Sequence, residues 1–156
     1  FTFAATLALY YFNSGLTKLG DGILGIFQPS DGAYLQIFPR AMAAADYDSS
    51  SLGFFHWAVV TAGTLAEFVL PVLIIIGLFT RLAALGMIGF IIVQSLTDLI
   101  GHDKWGDPLV LGAWFDHIPD GLILDQRMFW VLALSILVFK GPGWLSLDRM
   151  FARSDT

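Results

Sequence analysis

The tightest restriction on this chain is a set of continuous apolar runs too long for a small soluble core. FTFAATLALYYFNSGLTKL opens it at Phe1–Leu19, and LGFFHWAVVTAGTLAEFVLPVLIIIGL fills Leu52–Leu78. LAALGMIGFIIVQSLTDLI follows at Leu82–Ile100, and MFWVLALSILVF at Met128–Phe139. About 20 apolar helical residues cross the hydrocarbon core of a bilayer. The first and third runs suit that length, and the second exceeds it around Pro71, a candidate kink. The fourth reaches it by extension back through Leu122–Leu124 or on through Lys140–Leu147. Continuous runs argue against β-barrel strands, which alternate. Composition agrees: the chain is 56% hydrophobic and 13% charged, against about 25% charged in an average soluble domain. The predicted fold is all-α, an integral membrane four-helix bundle in a single domain over residues 1–156, with spans at about 1–19, 52–78, 82–100 and 125–140.

Phe79–Arg81 leaves room only for a tight turn between the second and third spans. Residues 20–51 and 101–124 form two long loops on the opposite side. Arg81, Lys140, Arg149 and Arg153 crowd the tight-turn side, whereas Lys18, Arg40, Lys104 and Arg127 are spread over much more chain. The positive-inside rule then makes the tight turn and the C-terminus cytoplasmic and the long loops extracytoplasmic, in a bacterial cytoplasmic membrane. Apolar pieces of the loops, Ile23–Phe27, Tyr34–Phe38 and Leu109–Phe115, are candidates to fold back onto the bundle. The first residue is Phe1 rather than Met, which implies a preceding piece. AMAAAD at Ala41–Asp46 resembles a small-residue cleavage site, but Gln28, Pro29, Ser30 and Asp31 break the run that would feed it. Phe1–Leu19 is therefore read as a retained span.

Net charge −5, with no Lys/Arg cluster, argues against nucleic acid as a partner. The absence of cysteine from the sequence excludes disulfides, thiol relays and thiolate-held clusters built by this chain.

Six charged, amide or imidazole side chains fall inside the first three spans: Asn13 and Lys18 on the first, His56 and Glu67 on the second, Gln94 and Asp98 on the third. Lys18, His56 and Asp98 lie within a turn or two of the outer ends. Asn13 and Gln94 are deeper, and Glu67, the sole glutamate, is deepest. Together they can form a polar track descending toward Glu67. An ionised group at the bilayer centre costs about 2.5–3.5 kcal/mol on insertion scales, so such residues face the bundle interior or water. Burial disfavours the charged form; Glu67 would donate to a carbonyl when protonated, or accept a proton when ionised. The competing reading is that Glu67 is interhelical glue, offered Asn13 or Gln94 by neighbouring helices. Lys18 and Asp98 read as interfacial groups, with Lys18 snorkelling, and His56 beside Trp57 reads as part of an aromatic belt.

In the second long loop, His102, Asp103, Asp107, Asp116, His117 and Asp120 supply imidazoles and carboxylates. Their spacing matches no closed zinc pattern, so no metal site is assigned. Nor does the chain carry a phosphate-binding glycine loop, a nucleophile elbow or an HExxH motif.

Three stretches together resemble the DoxX family of small four-helix membrane proteins. They are NSGLTKL at Asn13–Leu19, AEFVLPVLIIIGLFTRLAAL at Ala66–Leu85 and GPGWLSLDRM at Gly141–Met150. Two departures stand out. Phe68-Val69-Leu70-Pro71 follows the glutamate where family members often have a glycine pair, and the two outer loops are long. The resemblance implies association with membrane oxidoreductase systems, including quinone-linked ones, as a small subunit beside other chains. It places Lys18, Glu67 and Arg81 at the family's recurring charged positions without assigning them chemistry.

The leading expectation is an accessory or small subunit of a bacterial membrane oxidoreductase, not catalytic by itself. It carries no redox cofactor of its own, and quinone is a candidate ligand of the polar track. Membrane lipid surrounds it, and other subunits dock through loops 20–51 and 101–124. The rival is a structural or assembly subunit packing against a larger respiratory or photosynthetic complex. A third reading is a proton-coupled small-solute carrier.

Overall fold

In a computed structural model, residues 2–22, 24–144 and 146–154 are described, and among them the chain is helical, with no strand. The main elements are α1 (Thr2–Leu16), α4 (Phe54–Ile76), α5 (Thr80–Leu96) and α7 (Met128–Lys140). Short helices α2 (Asp31–Ile37), α3 (Pro39–Ala44) and α6 (Pro108–Leu111) lie in the long connections, and α8 (Leu147–Ser154) ends the described chain. A π-helical turn at Thr97–Gly101 prolongs α5, and another at Leu122–Arg127 leads into α7.

Among the described residues, three continuous helices are long and apolar enough to cross a membrane: Phe54–Ile76, Thr80–Gly101 and Leu122–Lys140. The short fourth apolar run is thus lengthened at its N-terminal side, through the Leu122–Leu124 extension. Each helix buries little of itself inside the protein, as expected where lipid covers the outer faces. With 15 residues, α1 is shorter. It packs along α4, α4 against α5, and α5 against α7. Leu7, Tyr11, Ile74, Ala84, Met87, Ile91 and Leu134 interlock at the centre. Small residues on α5 let the helices close in, as lipid-embedded packing requires.

Proximity of α1 to α4 depends on Gly15. A Cβ added there would stand 2.7 Å from the Phe68 ring. The Phe68 ring is accommodated because the facing helix has a glycine at this point.

At the tight turn, Gly77 ends α4 in the left-handed region, at φ 69°. The returning C-terminal segment fills the space beside it, so that a Cβ on Gly77 would overlap Ser146. Asp148 N–H donates to the Gly77 carbonyl at 2.9 Å. The Asp148 carboxylate accepts from Phe79 N–H at 2.7 Å and Thr80 N–H at 2.8 Å, capping α5 from almost 70 residues away. Two of the sequence stretches noted above, GLFTR and GPGWLSLD, are therefore one structural unit.

The first long connection is not a bare loop. Ser30 caps α2 by accepting from Ala33 N–H, and Ala33, Tyr34 and Met42 are buried with Val60 of α4. Tyr34–Phe38 does fold back onto the helices. Ile23 lies outside the described residues, whereas Leu109, Trp114 and Phe115 stay exposed.

Candidate functional site

The deepest polar feature joins α1 to α4. Lys18 Nζ donates to both carboxylate oxygens of Glu67 at 3.1 Å. Ser14 Oγ donates to Glu67 Oε1 at 3.0 Å and accepts from Lys18 Nζ at 2.9 Å, and the Ser14 carbonyl accepts from the same ammonium at 3.2 Å. Lys18 is 6% exposed and Glu67 1%. Its position follows from local structure. Ser14 and Lys18 are four residues apart, hence on one helical face, and α1 opens into a turn just after Leu16 so that the lysine stem can curl inward. On α4, which stays one continuous helix, Pro71 has no N–H to give the Glu67 carbonyl four residues earlier.

Beside this pair lies a cavity of ≈ 180 Å³. Ile37, Val59, Phe90 and Val93 form apolar walls, while Ser14, Lys18, Glu67, Gln94, Asp98 and His102 supply polar groups. His102 is exposed and Glu67 is not, so the cavity runs from the end carrying the long connections into the interior. His102 Nε2 is 2.9 Å from the Gln36 carbonyl, a contact that ties the π-helical turn to α2. Gln94 Oε1 accepts from the buried Tyr11 hydroxyl at 3.2 Å.

A second ion pair borders the cavity. Arg127 Nη1 donates to Asp98 at 2.7 Å and to Ser95 Oγ at 3.1 Å. The Arg127 side chain is 3% exposed and that of Asp98 26%. Arg127 Nε has no hydrogen-bond partner among the described residues.

Of the six polar residues singled out from sequence, Lys18, Glu67, Gln94 and Asp98 meet at one cavity. Three expectations are corrected. Lys18 does not snorkel to the interface: a carboxylate within reach makes burial of the ammonium affordable. Asn13 is exposed, because it points away from the face of α1 that carries Ser14 and Lys18. His56 does not line the cavity; its ring packs edge-on against Phe38 and Phe55, with Nδ1 buried and unpartnered among the described residues. Glu67 thus takes Lys18 and Ser14 as partners instead of Asn13 or Gln94.

Four contributors escaped the sequence reading. Ser14 had a usable signal in its i, i+4 relation to Lys18. Gln36 had none, since it sits in a segment read as a loop; His102 was weighed only as a metal ligand, and Arg127, at the start of the fourth predicted span, only as a cation of the outer side. The loop residues weighed as metal ligands are dispersed: Asp107 caps α6, Asp116 accepts from Ile118 N–H, and no group of three converges among the described residues.

These features define a helical membrane protein whose α1, α4 and α5 enclose a buried ion pair and a small mixed cavity. A family model described as DoxX matches residues 5–97, a region running from within α1 to the end of α5. The chain belongs to the DoxX family. No curated protein and no solved structure matches it.

Proposed function

We propose that this chain is a small accessory subunit of a bacterial membrane oxidoreductase system and that its cavity receives the head group of a quinone. The observation that carries this reading is the pairing of Gln94 with the cavity. Its carbonyl is committed to Tyr11, while its amide nitrogen has no partner among the described residues and is left to meet a carbonyl oxygen. Size is compatible: a cavity of about 150 Å³ elsewhere accommodates benzene, and this one measures ≈ 180 Å³. Phe90 offers an aromatic wall, and the Lys18–Glu67 pair closes the deep end. A bound quinone would supply the redox chemistry; the chain's residues bind and orient it.

The same reading makes α1 the fourth span of a four-helix bundle. Its 15 residues rise about 22 Å, and the following turn adds depth. Orientation gains support from burial. Lys18 and Arg127 are neutralised in buried pairs, leaving Arg40 and Lys104 as the exposed cations of the long-connection end. Arg81, Lys140 and Arg149 are exposed at the other, in much less chain. Counted by exposed charge, the bias toward a cytoplasmic tight turn is stronger than in the sequence.

A structural-subunit reading rests on a different observation. Leu109, Trp114, Phe115 and Ile118 present exposed apolar surface in the second long connection, outside the spanning helices, and Phe115 is fully exposed. Such a patch suits a partner chain.

The test is purification from native membranes in gentle detergent, with co-purifying chains and extractable quinone identified by mass spectrometry. Gln94→Met keeps side-chain length but removes the amide. Loss of quinone in that variant, with thermal stability and partner chains retained, supports the proposal. Quinone retained unchanged in Gln94→Met counts against it, and a large complex without quinone favours the structural reading.

A further inference from the structure

At the tight-turn end, away from the Lys18–Glu67 cavity, two recesses meet at Thr80. The first is an apolar crevice of ≈ 570 Å³ between α1, α4 and α7, walled by Phe3, Ile74, Ala133, Ile136 and Leu137. The second is shallow and lies between Arg81, Leu82, Pro142 and Arg149. Thr80 and Pro142 line both. Thr80 is 2% exposed, and its side chain lies beside the Asp148 carboxylate.

Charge at this seam is one-sided. Arg81 and Arg149 are exposed and enter no ion pair among the described residues. Arg81 lies against Gly141, where a Cβ would stand 3.0 Å from its Nε, and Arg149 sits 5.2 Å from the centre of the Trp144 ring. Asp148, the carboxylate in the recess, has each oxygen occupied by a backbone N–H of α5's first turn. It therefore caps a helix, and the two arginines of the recess outnumber it. Phe79, Leu82, Trp144 and Met150 surround them with exposed apolar surface. An aromatic and basic collar of this kind marks headgroup depth, and basic pockets between membrane helices receive anionic lipid headgroups.

We infer that this seam binds one anionic phospholipid. An acyl chain occupies the crevice, and the phosphate meets Arg81 and Arg149. Charge complementarity selects the lipid, because the crevice alone would accept any hydrocarbon chain. The inference is independent of what the Lys18–Glu67 cavity holds.

The experiment is native mass spectrometry of the delipidated chain, offered phosphatidylglycerol and phosphatidylcholine with identical acyl chains. Phosphatidylglycerol is expected to bind roughly five- to thirtyfold more tightly, the effect of one or two basic residues near an anionic headgroup. Arg81→Gln with Arg149→Gln should bring the ratio close to one, and Arg149→Gln alone, at an exposed position, should lower it without affecting folding. Ala133→Phe, which narrows the crevice, should weaken both lipids alike. Equal binding of the two lipids by the unmodified chain overturns the inference. So does a preference that survives Arg149→Gln at full strength, or occupation of the seam by an isoprenoid quinone in place of the phospholipid.

Discussion

Lys18 Nζ stands 3.1 Å from both carboxylate oxygens of Glu67, 49 residues further along the chain, and a serine hydroxyl bridges the same two groups. Neither charge is accessible. Each is tolerable only because the other is there, together with Ser14. Removing one partner of a buried pair costs about 3–5 kcal/mol, whereas replacing both by apolar residues of similar volume can be neutral. Glu67→Leu and Lys18→Met are each expected to destabilise on that scale, and the double variant to recover most of the loss. Denaturant unfolding in micelles measures the cycle; additive effects would show that the pair is not energetically coupled.

The Asp98–Arg127 pair should respond asymmetrically. Arg127 is far more buried than Asp98. Asp98→Ala strands a buried guanidinium, while Arg127→Met leaves a carboxylate partly in water. Asp98→Ala is therefore expected to be the more destabilising by at least about 1 kcal/mol. Comparison of the two melting temperatures in one detergent decides the order.

Asp148 predicts a pH effect at the tight turn. Partial burial opposes ionisation, but the N–H groups of Thr80 and Phe79 outweigh it and hold the carboxyl below its ordinary range. A carboxyl lowered in the folded state contributes stability above its unfolded pKa, lost as pH falls through the folded value. Attachment of α8 should thus be constant near neutrality and weaken only below the ordinary carboxylate range. Asp148→Ala should cost about 0.5–2 kcal/mol, as for other lost N-caps, and remove the acid step. Hydrogen exchange at Phe79 and Thr80 across pH 3–7 (an experimental range) reads both effects.

Gly15 and Phe68 should be coupled. Gly15→Ala places a methyl against the Phe68 ring and is expected to destabilise by about 1–3 kcal/mol, the usual cost of overpacking. Phe68→Leu added to it should restore stability, as measured by thermal unfolding. Failure to rescue would mean that the helix backbones, not this ring, limit the approach.

The apolar runs specified a helical membrane protein by themselves. With few charges and no alternation, long apolar segments have helix as their available way to satisfy the backbone in lipid. Two of the three motifs, Asn13–Leu19 and Ala66–Leu85, also fall inside the region that matches the family. Pairing was different. From its position, Lys18 read as interfacial; only the inward turn after Leu16 and the apposition of α1 to α4 bring it to Glu67. Depth along a helix says nothing about azimuth, so Asn13 and Ser14, adjacent in sequence, point to opposite environments. Gln36 and His102 reach the cavity because connections read as loops fold back as helices and turns, and Arg127 reaches its border from the turn that leads into α7. Those contacts are long-range, set by helix packing and by the folding back of α2 and the π-helical turns, and no local pattern encodes them.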